Sequence, residues 1–249
     1  ASCLVGSEMC IRDRNYMAQS KEYRNNVDLC WRIASIFLEN QENNKQGARL
    51  LEEYVTNVKG LKAESKVRLY GNIGQLYSID GDYSVALQYC WRGLELLESS
   101  PLIPNRSKYM SKFLAVLGDN AYGLEQYQTA IEYYEQSLEI FQKREDDDLL
   151  ADASLALVNE GAAYLELGQH KKVLSVLDEL EELIPKIPES QKDDIQILWG
   201  NLRAQLYMNE GNLEQAEYEL EAAKELLNTD DVEYSLNKDC LLYTSPSPR

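Results

Sequence analysis

An all-α fold of stacked antiparallel helical hairpins is what this 249-residue sequence predicts. Small and apolar residues recur at i, i+3, i+4 and i+7 over most of the chain, the spacing of one helix face. The same stripe, turn and facing stripe return about every forty residues, the mark of a repeat array. No segment shows the sustained two-residue alternation between tight turns that a strand requires.

The two ends stand apart from this pattern. Residues 4–13 read LVGSEMCIRD and residues 240–249 read CLLYTSPSPR. One DNA stretch that encodes the first, read on its opposite strand and shifted by one base, encodes the second residue for residue. Two unrelated protein segments have no reason to share opposite strands of one DNA, and that DNA resembles a transposon-end adapter from sequencing libraries. The apolar run at Leu4 and Val5 is too short for a secretory leader. Residues 1–14 and 240–249 are therefore expected to be non-native tails on a repeat array at 15–239, itself expected to be a fragment of a longer reading frame.

Without Glu8, Asp13, Arg12, Arg14 and Arg249 the array keeps 40 acidic and 22 basic residues, a net charge of −18. So acidic a surface repels phosphate backbones, which proteins engage with clustered Lys and Arg, and argues against nucleic acid as a partner. Cys3, Cys10 and Cys240 lie in the tails; Cys30 and Cys90, far apart in sequence, read as buried thiols rather than a disulfide framework. No run approaches the roughly 20 apolar residues of a membrane span.

The clearest unit is 67–100, with the core YGNIGQLYSIDGDYSVALQYCWRGLELL. Tyr70, Ile73, Gly74 and Tyr77 form one stripe, and Tyr83, Ala86, Cys90 and Gly93 the facing one. Gly74 and Ala86 are small where the helices cross. Gly81 supplies the left-handed residue that closes the first helix, and Tyr77 and Tyr83 add bulk beside the turn. The third hairpin has Leu114, Leu117 and Gly118, then Tyr127, Ala130, Tyr134 and Ser137. In the fourth, Leu157, Gly161, Tyr164 and Gly168 precede Val173, Leu177 and Leu180. The fifth has Ala204, Tyr207 and Gly211, then Ala216, Leu220 and Ala223. A degenerate first hairpin sets Cys30, Ile33, Ala34 and Phe37 against Ala48, Leu51 and Val55.

These residue types and spacings resemble the tetratricopeptide repeat, a paired-helix unit. The departures are Ala121, where the family has a large aromatic, Glu125 in place of the turn glycine, and Glu160 at a usually apolar position. The small residues opening the second helices, Ala48, Ala86, Ala130, Val173 and Ala216, are spaced by 38, 44, 43 and 43, longer than the common repeat of about 34. The excess is assigned to longer helices and to the connections 99–107 (SSPLIPNRS), 143–148 (KREDDD) and 185–190 (PKIPES), rich in helix-stopping and capping residues. Units this long resemble those of kinesin light chains and of bacterial signalling and transcription-control proteins. Hairpins are expected at about 22–59, 62–100, 107–144, 148–184 and 189–228, with a sixth beginning at 231–239. The resemblance implies an α-solenoid of about five hairpins wound as a right-handed superhelix, each hairpin completing its core against its neighbours.

It also implies a groove, lined by the first helices, that holds an extended peptide or a partner protein. Carried over position by position, the groove residues are Asn72 and Gln75, Asp119 and Tyr122, Asn159 and Ala162, and Asn201 and Gln205. An amide suits this work because it both donates to and accepts from a peptide backbone; the competing role for Asn72 and Asn159 is to tie neighbouring repeats together. The basic clamp with which some members grip a C-terminal carboxylate is missing, since Gly71, Asn72 and Gln75 occupy its place, so an acidic C-terminal peptide is a poor candidate ligand.

Catalytic, cofactor and metal sites are not expected. His170, in the turn QHKK at 169–172, is the single histidine and has no Cys or His nearby to complete a zinc site. Gly71 and Gly74 lie within a helix at packing spacing, not in a phosphate-cradling loop. The acidic runs at 145–148 and 178–183 lack the ligand alternation and the glycine of a calcium loop; the first suits a helix N-terminus and the second an exposed face. The sequence thus points to a non-enzymatic, protein- or peptide-binding scaffold, plausible as the sensory or regulatory array of a larger bacterial signalling protein in the cytoplasm. The alternatives are a periplasmic assembly or secretion protein, or the accessory region of an enzyme with its catalytic domain elsewhere.

Overall fold

A computed structural model describes residues 44–143 and 150–227. Both tails, the first helix of the first hairpin, the acidic run at 145–148 and the start of the sixth hairpin lie outside the described residues. Every described element is helical, and the fold is an all-α helical repeat. The helices are α1 (Asn44–Asn57), α2 (Ala63–Ile79), α3 (Tyr83–Ser99), α4 (Arg106–Gly123), α5 (Tyr127–Gln142), α6 (Leu150–Glu166), α7 (His170–Leu183), α8 (Glu189–Asn209) and α9 (Leu213–Leu227), with a 3-10 turn at Ile184–Lys186.

Four turns close their helices in one way, and the backbone bonding explains the residues found there. Gly81, Gly168 and Gly211 have φ of 78°, 67° and 79°. Each donates its N–H to the carbonyl three residues back, and the next residue donates to the carbonyl five back: Asp82 to Tyr77, Gln169 to Tyr164 and Asn212 to Tyr207. This double bond pattern satisfies carbonyls that a helix end otherwise leaves open. Glu125 occupies the same place in the α4–α5 turn with φ of 59°, and Gln126 there donates to Ala121. The turn forms without glycine, at the cost of holding a Cβ-bearing residue in the left-handed region.

The described residues fall into two compact units that divide between Tyr109 and Met110. In the first, α2 packs on both α1 and α3 around Ala48, Leu51, Ile73, Leu76 and Ala86, each fully buried. A Cβ on Gly74 would stand 3.0 Å from the Cys90 sulfur and 3.4 Å from the Ala86 carbonyl oxygen, so the small residue lets α2 and α3 approach. On α1 the buried stripe runs through Tyr54 rather than through Val55, which is half-buried beside it.

The second unit pairs α4 with α5, α6 with α7 and α8 with α9. At the first crossing Ser111 and Ser137 are both buried; their hydroxyls lie 2.9 Å apart, and each reaches the other's carbonyl, at 3.2 and 3.0 Å. Between α6, α7 and α8, Val173, Leu177 and Leu180 are buried from one side, each contributing roughly 1.5–3 kcal/mol of apolar burial. Pro185 opens the 3-10 turn, and Pro188 in extended conformation precedes α8. The expected stripe on α9 is corrected in one place. Ala216 and Ala223 are buried, but Leu220 is 41% exposed, and Glu219 takes the inward position at 8%. Arg203 of α8 explains the exchange. It reaches Glu219 at 3.1 Å while its guanidinium lies 4.4 Å from the centre of the Trp199 ring, so the buried charge is paired.

Candidate functional site

In the second unit, α4, α6 and α8 line a cavity of about 240 Å³. Six of the sequence-predicted residues stand on its wall: Asp119 and Tyr122 from α4, Asn159 and Ala162 from α6, Asn201 and Gln205 from α8. They meet because residues at equivalent positions of successive first helices share a face. Asn72 and Gln75 belong to the first unit. There Asn72 is buried with its amide nitrogen unpartnered among the described residues, and Gln75 is exposed.

Asp119 organises the polar side of the cavity. Its Oδ1 accepts hydrogen bonds from the Tyr134 hydroxyl at 2.8 Å and the Asn159 amide at 2.9 Å. Burial pushes its carboxyl up to about 6 from the ordinary 3.8, against these two donors, which pull it down. Asn159 therefore ties α6 to α4 through its nitrogen, the inter-repeat role weighed against ligand contact in the sequence, while lining the cavity as well. Asn201 is 6% exposed, and its carbonyl oxygen has no partner among the described residues. Such an orphaned acceptor costs about 1–3 kcal/mol until a donor reaches it. Tyr122 packs edge-on against Tyr127 with ring centres 5.3 Å apart. Val158, Leu198 and Leu202 complete the wall with apolar surface.

Tyr134 is the wall residue that sequence reasoning placed elsewhere, in the stripe joining α4 to α5. It does both. A Cβ on Gly118 would stand 2.5–2.8 Å from three atoms of the Tyr134 ring. The bare glycine lets the ring lie flat on α4 and carry its hydroxyl to Asp119. A large aromatic set against a glycine that immediately precedes an aspartate was the available signal.

Glu160, next to Asn159, points elsewhere. It is 7% exposed, and burial together with the charges of Glu135 and Glu179 raises its carboxyl to about 7, with the Tyr164 hydroxyl and Lys172 opposing. The Tyr164 hydroxyl donates to Glu135 at 3.3 Å. His170 is half-buried at the start of α7, with Nδ1 3.9 Å from Glu210. Among the described residues no group of three His, Cys, Asp or Glu side chains is placed to hold a metal ion, and no helix is long and apolar enough to cross a membrane.

Residues 110–186, covering α5 to α7 and most of α4, match the tetratricopeptide repeat family. That segment is a tetratricopeptide repeat by both sequence match and paired-helix fold. Solved structures with the same fold include BtubC (BKLC) from P. vanneervenii, 15% identical with a TM-score of 0.62 over 98% of this chain and 93% of that one. A putative kinesin light chain with TPR-like repeats from Podosopora anserina is 18% identical, TM-score 0.58, over 84% and 97%. NprR, solved with its cognate peptide NprX, is 12% identical, TM-score 0.58, over 85% and 64%. At these identities the likeness establishes the fold. No curated protein sequence matches the chain. The tetratricopeptide array is a repeat scaffold of the kind that binds proteins.

Proposed function

We propose that the face of the second unit formed by α4, α6 and α8 binds an extended segment of a partner protein or a free peptide. The observation that carries this reading is the cavity itself, where a buried, unpartnered Asn201 carbonyl stands among apolar walls and a fixed carboxylate. An apolar pocket with a few convergent polar groups is the usual form of a recognition site. The complex of NprR with its cognate peptide shows that a distant array of this fold accepts such a ligand. A regulatory role in a bacterial signalling protein, in the cytoplasm, is the setting we propose for it.

The test is selection of random peptides on the full chain, repeated with Ala162→Arg, which fills the cavity from α6. Peptides retained by the parent protein and lost by the variant, with melting temperatures within a degree or two of each other, support the reading. Selected peptides that bind both proteins equally would reject it. Separate Asn159→Ala and Asn201→Ala variants distinguish two roles: the first lowers the melting temperature through the lost tie to Asp119, whereas the second, which removes an acceptor without a partner among the described residues, acts mainly on affinity.

A further inference from the structure

We infer that this cavity receives one cationic side chain of the bound segment, with arginine preferred, a deduction that rests on the peptide-binding reading above. Four observations converge. Asp119 has no ion-pair partner among the described residues, and both of its donors, Tyr134 and Asn159, fall on Oδ1. The Asn201 carbonyl oxygen, on a side chain more than nine-tenths buried, is a second acceptor without a donor. The Tyr134 hydroxyl hydrogen and one Asn159 amide hydrogen are already given to Asp119. A carboxylate without a counter-charge and an acceptor without a donor both suit a donor that carries positive charge.

Size and lining narrow the ligand further. A volume of about 240 Å³ is below the roughly 300–1,000 Å³ of sites that enclose a drug-sized molecule, so the cavity takes a side chain rather than a whole ligand. Val158, Leu198 and Leu202 suit the aliphatic stem of a long basic residue. Tyr122 on the same wall is an aromatic residue, a type that attracts cations. A guanidinium presents several donors in a planar fork and reaches two separate acceptors at once, which a single ammonium does less well. The acidity of the whole chain, a net −17, favours approach of the same ligands.

The experiment uses the full chain and a peptide selected on it as above. The expected outcome is that cavity-dependent peptides share an Arg at one position. Replacing that Arg by citrulline, its neutral near-isostere, should weaken binding to the parent protein at least tenfold. Asp119→Asn should weaken the Arg peptide by a similar factor and leave the citrulline peptide nearly unchanged, because the two changes remove the same interaction. Replacement by Lys should fall between Arg and citrulline. Equal binding of the Arg and citrulline peptides to the parent protein overturns the inference, and that arm holds even if Asp119→Asn disturbs folding. Peptides that need the open cavity yet carry no basic residue overturn it while leaving the groove reading in place. Failure to recover any cavity-dependent peptide overturns both.

Discussion

Replacing Glu160 by Gln should stabilise the protein above neutral pH and do little below pH 4.5. The side chain is 7% exposed, and its carboxyl titrates near 7 in the folded chain against 4.5 ordinarily. Between those values the native state keeps a proton that the unfolded chain has released. Native stability therefore falls as pH rises through the window from 4.5 to about 7, and the loss is complete above it. At about 1.4 kcal/mol per pH unit, the penalty reaches on the order of 3 kcal/mol. Gln keeps the shape of the protonated acid and cannot ionise, so it should recover most of this at pH 8 and almost none at pH 4. Urea denaturation of both proteins across this range, read as the difference in unfolding free energy, checks it; other titrating groups cancel in that difference. Parallel stability profiles would refute the reasoning and place Glu160 in contact with water. A variant destabilised equally at all pH values would mean that the carboxylate itself serves the packing.

Three further outcomes are expected. Glu125→Gly should stabilise by about 1 kcal/mol, the order of the left-handed penalty, with an unchanged circular dichroism spectrum. No gain in the urea midpoint would show that the Glu125 side chain offsets its own strain. Gly118→Ala should cost about 1–3 kcal/mol despite the better helix propensity of Ala, since the Tyr134 ring is 1% exposed and anchored at Asp119. The same urea titration measures this loss. Ala130→Arg places a charge where exposure is 0% and should cost on the order of 3 kcal/mol, whereas Glu132→Arg at an exposed position should change the midpoint little; equal midpoints would refute the register.

What the sequence made legible is what repetition encodes. The five small residues opening the second helices are all buried, at 0% for Ala48, Ala86, Ala130 and Val173 and 3% for Ala216. Equivalence along the array also brought Asp119, Asn159 and Asn201 to one wall, since each takes a like place on its own first helix. Periodicity identifies a face, however, and not the partner across it. The exchange of Leu220 for Glu219 depended on Arg203, sixteen residues away and fixed by stacking on Trp199. The left-handed Glu125 is invisible to any rule that looks for glycine at a turn, because the hydrogen bonds from Glu125 and Gln126 hold the backbone whatever side chain is attached. Tyr134 reads as core by its spacing, and only the bare surface of Gly118 turns its hydroxyl toward Asp119.

Asp119 and Glu160 show two uses of a buried acid on opposite sides of a one-residue step along α6. Asn159 and Glu160 are neighbours on α6, about 100° apart around its axis. Asn159 consequently faces the cavity and donates to Asp119, while Glu160 faces Glu135, Glu179, Tyr164 and Lys172. Both carboxyls are raised by burial, Asp119 to about 6 and Glu160 to about 7, so both make the fold less stable as pH rises from the ordinary value of each toward its raised one. Their surroundings differ in what can relieve that cost. Glu160 lies among packed helices with two like charges beside it, and only protonation or substitution removes the penalty. Asp119 lines a cavity whose wall also holds Asn201, with its unpartnered acceptor. A cation bound there would favour the ionised carboxylate and offset the desolvation that raises it. The two acids thus divide the cost of ionisation between one site that only the fold can relieve and one that a ligand can.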